Sequence, residues 1–225
     1  MYYHYVLIQR GTTMQKAINK AIYGRKIGMT QVFDEAGLMI PVTVVETAPL
    51  TILRKKTVER DGYSALVCAF EDINERRLTK PEAGVFKKVK QPAKKLVKEL
   101  KLSADKYEVG AIIDCGIFQQ GDFVDVSGTS KGHGFVGPIK RWNQHRLKET
   151  HGTGPTVRKG GSNGMRSDPS RVMKNMRMAG QWGNEKVTVQ NLKVVKVDKG
   201  RNVILIMGGI PGPKGGLVTV TETVK

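Results

Sequence analysis

The chain has 225 residues, enough for one large domain or for one domain with a long excursion. Its formal charge of +18 favours a polyanionic partner, and the lack of a run of 18 apolar residues argues against a membrane-spanning helix. The two cysteines, Cys68 and Cys115, lie in apolar contexts, so we expect buried free thiols and no disulfide framework or metal site. The first residues lack the pattern of a secretory signal, and we therefore expect a cytosolic protein.

The N-terminal half begins with a weakly patterned tail and continues with β signals. Met14 is an alternative start within residues 1–23, which would make residues 1–13 a dispensable tail. From Gly24 on, β-branched segments bounded by turn residues predict four strands, and the Asp-Gly pair at 61–62 predicts a hairpin between the last two. These strands are residues 26–33, 38–46, 51–59 and 63–70. We expect them to begin a closed or curled antiparallel sheet.

A small helical insertion is predicted at about residues 80–106. Residues 80–84 contain Pro and Gly and predict a break in regular structure. Residues 93–102 place Leu96, Val97 and Leu100 on one face of a helix with lysines opposite, which predicts a short amphipathic helix. Two interpretations of these lysines stay open, a solvated helix face and a second contact to phosphate.

The C-terminal half returns to strand-like sequence on both sides of a basic segment. Alternating and β-branched residues predict strands at 108–114, 122–127, 187–197, 202–207 and 217–224. The fold class predicted from the residues is therefore mainly β, a closed or partly closed barrel formed by residues 24–127 and 187–225, with the helical insertion and a long irregular basic loop.

Residues 128–186 form that loop, which we call the basic extension. Twelve of its residues are Lys or Arg and three are acidic, so it carries a formal charge of +9, half of the total. Its few aliphatic residues show neither strand nor helix periodicity, so it cannot bury a core of its own and we expect it to be disordered alone in solution. The partner that orders it should be a polyanion with stackable groups, which describes nucleic acid.

The candidate RNA contacts lie in this extension. Arginine offers planar forks for phosphate and bases, histidine can bond phosphate or stack, and tryptophan offers a stacking face. The alternative for either tryptophan is a core plug where the extension meets the barrel. The cationic and aromatic candidates are Lys131, His133, Lys140, Arg141, Trp142, His145, Arg146, His151, Arg158, Lys159, Arg166, Arg171, Lys174, Arg177 and Trp182. The glycines expected to let backbone approach RNA are Gly128, Gly132, Gly134, Gly137, Gly152, Gly161 and Gly164.

Two catalytic hypotheses are weaker. Residues 132–137 satisfy the dinucleotide pattern G-x-G-x-x-G, but no helix pattern follows and no acidic residue stands about twenty residues on. His133, His145 and His151 are spaced unlike metal ligands, and no acid is placed to orient a catalytic base. We therefore predict no enzyme activity, no cofactor, no metal and no small-molecule substrate.

Several motifs resemble the ribosomal protein L-three (L3) family of the large subunit, in its bacterial form. They are Phe118, Asp125, Gly128, Ser130, residues 132–134, Gly137 and Arg141 at the family's signature spacing, together with residues 24–33, 80–84, 140–143, 150–152 and 178–190. The similarity covers about Met14 to the C-terminus. One departure is Met165, which stands where bacterial relatives often carry a glutamine that is methylated in some of them, so the modification is not expected here.

The resemblance implies a translation-protein-type β-barrel whose extension enters 23S rRNA of the large subunit towards the peptidyl transferase centre. It also implies an early role in subunit assembly beside the ribosomal proteins L-fourteen and L-nineteen. The hypothesis that follows is a structural ribosomal protein in the cytoplasm. A free-standing RNA-binding assembly factor or regulator is the alternative, because the same charge would serve it.

Overall fold

A computed structural model describes residues 18–102 and 106–223. Six strands form a closed barrel of mainly antiparallel neighbours. They are β1 (Ala21–Phe33), β2 (Met39–Glu46), β7 (Phe123–Thr129), β10 (Lys186–Asp198), β11 (Val203–Met207) and β12 (Leu217–Glu222). Around the barrel the strand order is β1, β12, β7, β10, β11, β2, so the first and last strands of the described chain lie side by side. The prediction of a mainly β protein with a closed barrel is confirmed.

A second sheet has four strands, in the order β5, β4, β3, β6. The members are β3 (Leu50–Lys56), β4 (Ala65–Asp72), β5 (Lys94–Leu100) and the two-residue β6 (Ile112–Ile113). Two helices accompany it, the single turn α1 (Val58–Asp61) and the longer α2 (Lys80–Val89). Phe86 of α2 packs on Leu53 and Ala69, which places α2 on one face of this sheet.

The other face of the four-stranded sheet shares a core with the barrel. Val45, Val126 and Ile204 of the barrel are fully buried in the same apolar cluster as Ile52 and Phe70 of the sheet. β4 is buried on both faces, since Phe70 lies in the shared core and its neighbour Ala69 lies under α2. The same cluster includes Tyr23, whose ring stacks on Phe70 with the centroids 5.1 Å apart.

Several predicted elements were wrong. Within residues 93–102, where a helix was predicted, β5 forms instead, because it pairs with β4 and sends Leu96 and Leu100 to the shared core, while Val97 is exposed on the other side. The predicted break at residues 80–84 is the start of α2. Pro81 stands in the first helical turn, where a missing N–H costs nothing, and Thr79 and Glu82 form a capping box.

The predicted placement of the third and fourth strands also needs correction. β3 and β4 pair with each other, as expected, but they belong to the second sheet and not to the barrel. The Asp-Gly pair does not form a two-residue turn, since α1 occupies residues 58–61 and Gly62 follows as its left-handed cap with φ 83°. Of the strand predicted at residues 108–114, only β6 forms.

The body begins earlier than predicted. β1 starts at Ala21, and Ala21, Ile22 and Tyr23 are buried, so residues 21–23 belong to the barrel and not to a tail. The predicted dispensable tail, residues 1–13, lies outside the described residues. By its contacts the chain divides into two compact units, the body, which ends at Gly128 and resumes at Thr188, and residues 129–187 between them.

Candidate nucleic-acid interface

The outgoing and returning limbs of the extension, residues 130–142 and 178–185, are joined by hydrogen bonds into what we call the stem. Its centre is a two-stranded sheet of β8 (Gly134–Val136) and β9 (Gly180–Trp182). The backbone N–H of Ser130 donates to the carbonyl of Glu185, and that of His133 donates to the carbonyl of Trp182, each over 2.9 Å. The stem fixes where the extension starts and ends without an apolar core, since Val136 is its one buried hydrophobic residue within residues 129–187.

The short helix α3 (Pro138–Trp142) continues the outgoing limb and is tied to the returning limb by Trp142. The indole Nε1 of Trp142 donates to the carbonyl of Met178 over 2.9 Å, and the guanidinium of Arg141 donates to the same oxygen over 3.2 Å. The guanidinium carbons of Arg141 and Arg177 lie 5.0 and 5.9 Å from the centre of the Trp142 ring. Cation–π contacts and a hydrogen bond thus hold this residue in the stem.

Trp182 has a similar local partner. Its ring stacks on the imidazole of His133, with the centroids 4.2 Å apart and the planes 23° from parallel. His133 and Trp182 face each other across the β8–β9 stem, so one face of each ring is already covered. The structure therefore places both tryptophans in the stem, where they join the limbs of the extension, and Trp142 remains 40% exposed.

The remaining predicted cations lie on the outside of the extension. Lys131 and Lys140 lie on the stem, and His145, Arg146, His151, Arg158, Lys159, Arg166, Arg171, Lys174 and Arg177 follow along the outer loop, all of them exposed. Arg146 pairs with Glu149, and among residues 129–187, all described, no other ion pair is present. The extension therefore keeps nearly all of its positive charge accessible to a polyanion.

The predicted glycines differ in what they do. Gly134, Gly152 and Gly161 have positive φ, whereas Gly128 lies in β7 of the body. No positive φ is found at Gly132, Gly137 or Gly164. Sequence reasoning missed the most constrained position, Gly183, which has a φ of 72° and where an added Cβ would overlap the carbonyl oxygen of Lys131. The signal in the sequence is the pair Gly183-Asn184, because glycine and asparagine are the residues that most readily adopt the left-handed conformation, and both do so here.

The outer end of the extension contains a cavity of about 260 Å³ that the sequence did not indicate. Three methionines, Met165, Met173 and Met176, line it together with Pro169 and Arg171. Methionine side chains are flexible and polarizable, so a pocket built from them adapts to the shape of an apolar group. No periodicity marks these residues, because they come together through irregular backbone.

The geometry bears on the catalytic hypotheses as well. Residues 132–137 contain β8 and are followed by the five-residue α3, and not by the long helix of a dinucleotide fold. Within residues 18–102 and 106–223 no cluster of His, Cys, Asp or Glu could hold a metal. Cys68 is buried, which raises the pKa of its thiol to about 12 and disfavours the thiolate.

The family model for Ribosomal protein L3 matches residues 67–203 of the chain. A similar protein, the large ribosomal subunit protein uL3 of Acetivibrio thermocellus, is 51% identical over 210 residues, which cover 92% of this chain and 99% of the relative.

The chain belongs to the ribosomal protein L3 family. The L3 family match contains all of the basic extension. It also contains α2 and β5. In the part of the chain that the structure describes, no helix is long and apolar enough to cross a membrane.

Proposed function

We propose that this member of the L3 family is a structural constituent of the large ribosomal subunit, that it binds 23S rRNA through the basic extension, and that it carries out no chemistry. The observation that carries the proposal is the stem-held extension whose cations are exposed and, Arg146 apart, without acidic partners. Family membership supports the ribosomal setting, and therefore a cytoplasmic location.

The stem explains how such an extension can bind with specificity. Phosphate contacts by Lys and Arg supply affinity that does not depend on sequence. A stem that fixes both limbs limits the positions these cations can take, so less ordering cost is left to be met on binding. Shape-selective recognition of folded RNA then follows from the spacing of the exposed arginines and from backbone approach at glycines such as Gly152 and Gly161.

The finer parts of the proposal rest on the resemblance to the family. They are a path of the extension towards the peptidyl transferase centre, an early place in subunit assembly, and neighbours L-fourteen and L-nineteen. The methionine-lined end is the part of the extension that would lie deepest in RNA, and Met165 there replaces the glutamine common among bacterial relatives. We therefore expect its contacts to be apolar and free of a methylated side chain.

Chemical footprinting of the purified protein on large-subunit rRNA, at moderate and high salt, tests the proposal. We expect discrete protection that survives high salt and is lost when four exposed cations of the extension, Arg158, Lys159, Arg166 and Arg171, are changed to Gln. The matched control changes four exposed lysines of the body, Lys193, Lys196, Lys199 and Lys214, which we call the body control set. It should keep the protection of that region.

The opposite outcome is equally specific. Diffuse protection that disappears with salt would contradict a defined ribosomal site and would favour the free-standing RNA-binding factor. Co-sedimentation separates the two further, because a subunit constituent stays with large subunits after a high-salt wash and a regulator does not.

A further inference from the structure

The body carries a second concentration of positive charge in residues 75–101. Ten of these residues are Lys or Arg and three are Glu, which gives a formal charge of +7. Together with the extension, at +9, this segment accounts for nearly all of the net charge of +18. A surface that serves only solubility mixes both signs, so the excess here calls for a separate explanation.

These cations lie on α2, on the edge strand β5 and on the segments that flank them. α2 lies on the face of the four-stranded sheet that carries Ala69, and Ala69 pairs with Val97 of β5. Lys95 alternates with Leu96 and so borders the α2 side, next to the helix that carries Lys87 and Lys88. β5 is the edge strand, and Lys98 is exposed along that edge, on the face of β5 opposite to Lys95. We call Arg76, Arg77, Lys80, Lys87, Lys88, Lys90, Lys95, Lys98 and Lys101 the insertion surface.

The acids nearby form no ion pair with this surface among the described residues. Glu82 accepts hydrogen bonds from the backbone N–H and the hydroxyl of Thr79, over 3.0 and 2.8 Å, and so caps α2. Glu99 pairs with Lys56, which is not part of the surface. Lys94 pairs with Asp72, whereas no residue of the insertion surface has an ion-pair partner among the described residues. Repulsion among these unpaired cations lowers the stability of the folded body, and a bound polyanion relieves it.

The segment itself offers no exposed aromatic ring, and the neighbouring Tyr63 donates its hydroxyl to Glu99 of β5 over 2.7 Å and has Lys56 over its ring. Within residues 75–101, all of them described, Phe86 is the one aromatic residue, and it is buried under α2. Proteins that bind single-stranded RNA rely on aromatic stacking, whereas duplex RNA is bound through phosphate and sugar contacts. β5, with seven residues, is about 20 Å long. That length allows contact with several successive phosphates.

We propose that the insertion surface is a second RNA-binding site, separate from the basic extension, that takes the phosphate backbone of double-helical RNA. The inference rests on the proposed function, since it assumes that the partner is structured RNA. It differs in chemistry from the extension, because it has lysine-rich, ring-free contacts, whereas the extension has arginines, glycines and a pocket at its outer end. The two sites would hold the protein at two points of the folded RNA.

The test compares salt dependence between matched variants of the full chain. One variant carries K87Q, K88Q, K95Q and K98Q, all at exposed positions, and the other carries the body control set changed to Gln. The probe is an RNA duplex of about 16 base pairs, close to the length that a double-stranded-RNA domain spans. The slope of log K against log salt is negative, and each lost phosphate contact makes it shallower by roughly 0.7 to 0.9. We expect the slope to become shallower by about 3 for the insertion variant and by less than about 1 for the control.

Three outcomes would overturn the inference. An equal change of the salt slope in the insertion variant and in the control would indicate generic attraction between polyions. If the salt slope of the insertion variant changes as much on poly(U) as on the duplex, the surface has no preference for duplex RNA. If the slope is unchanged on both RNAs, the partner is an acidic protein surface instead. Thermal melts by circular dichroism confirm that both variants are folded.

Footprinting on large-subunit rRNA separates this inference from the proposed function. Two protected regions are expected, one lost in the insertion variant and the other lost when the extension cations are replaced. If the protein protects a single region that depends on the extension alone, the second site is absent and the proposed function stands. If it protects none, the proposed function itself is wrong.

Discussion

The body and the basic extension reach order by different physical means. The body buries fully apolar side chains such as Ile52, Phe70 and Ile204 in one cluster, and hydrophobic burial stabilises it. The extension buries only Val136 and uses backbone pairing, a Trp142–Met178 hydrogen bond and ring contacts of arginine and histidine. A segment without a hydrophobic core can therefore still be positioned if hydrogen bonds join its two ends. Its charged side chains then stay available to a partner.

Replacing the extension should produce the largest effect. Ser130 and Glu185 are hydrogen-bonded to each other, so residues 131–184 can be exchanged for an Asn-Gly turn that closes this pair. We expect the body to keep its melting temperature within a few degrees, because its core lies outside the removed segment. Incorporation into large subunits should be lost, as measured by sucrose-gradient sedimentation of reconstituted particles. Unfolding of the shortened protein would instead show that the extension is part of the core.

A matched pair of phenylalanine substitutions should separate the two kinds of order. Phe70 is 1% exposed and stacks on Tyr23, whereas Phe135 of β8 is 81% exposed. Phe70→Ala should lower the free energy of unfolding by about 3 to 5 kcal/mol, through lost burial and a cavity. Phe135→Ala should change it by less than about 0.5 kcal/mol, as is usual for exposed positions. Urea unfolding followed by circular dichroism measures both, and comparable losses would contradict the distinction.

Two glycines with the same backbone conformation offer a smaller and more local test. Gly152 and Gly183 both have a φ of 72°, but a Cβ at Gly152 meets open space, whereas one at Gly183 overlaps the carbonyl oxygen of Lys131. Gly152→Ala should cost about 1 to 2 kcal/mol, for the left-handed conformation alone. Gly183→Ala should open the stem in addition. Hydrogen exchange at the stem amide of His133 should accelerate in Gly183→Ala and stay unchanged in Gly152→Ala.

The sequence predicted the barrel well because its strands alternate and end at turn residues. It failed where local pattern and tertiary context disagree. In residues 93–102, three apolar positions fit a helix face as well as a strand, and pairing with β4 decided for β5. At residues 80–84, the Pro and Gly residues predict a break, although proline is favoured in the first turn of a helix, where Pro81 stands.

In the extension, composition predicted which residues carry charge but not how the loop closes. The stem depends on contacts between residues about 35 to 55 positions apart, such as Trp142 with Met178 and Ser130 with Glu185. No periodicity signals such pairs. The stacking role predicted for Trp142 and Trp182 remains a prediction, and both rings have partners inside the protein. The methionine-lined pocket could not have been predicted, since its residues share no spacing.

The smallest expected effect concerns helix caps, where body and extension differ again. Glu82 accepts hydrogen bonds from the backbone and side chain of Thr79, which lowers the pKa of its carboxyl group, whereas α3 in the extension has no side-chain cap. A carboxylate with a lowered folded-state pKa contributes stability above its unfolded pKa, near 4.3 by the usual reference, and the contribution is lost as the pH falls through the folded value. Hydrogen exchange at the start of α2, corrected for intrinsic rates, should therefore accelerate relative to pH 6 once the pH falls below about 4.

Glu82→Gln serves as the control for this titration. Its amide oxygen still accepts from Thr79 but does not titrate in this range, so protection of α2 should become independent of pH while the helix stays capped. A cap that loosens with the same pH profile in wild type and Glu82→Gln would mean that another group controls it. Because α2 carries Lys87 and Lys88 of the insertion surface, a pH step that loosens α2 should also weaken duplex binding by that surface. Binding through the extension, which does not contain α2, should be affected later. That order of loss would link the cap of one short helix to the second of the two proposed contacts.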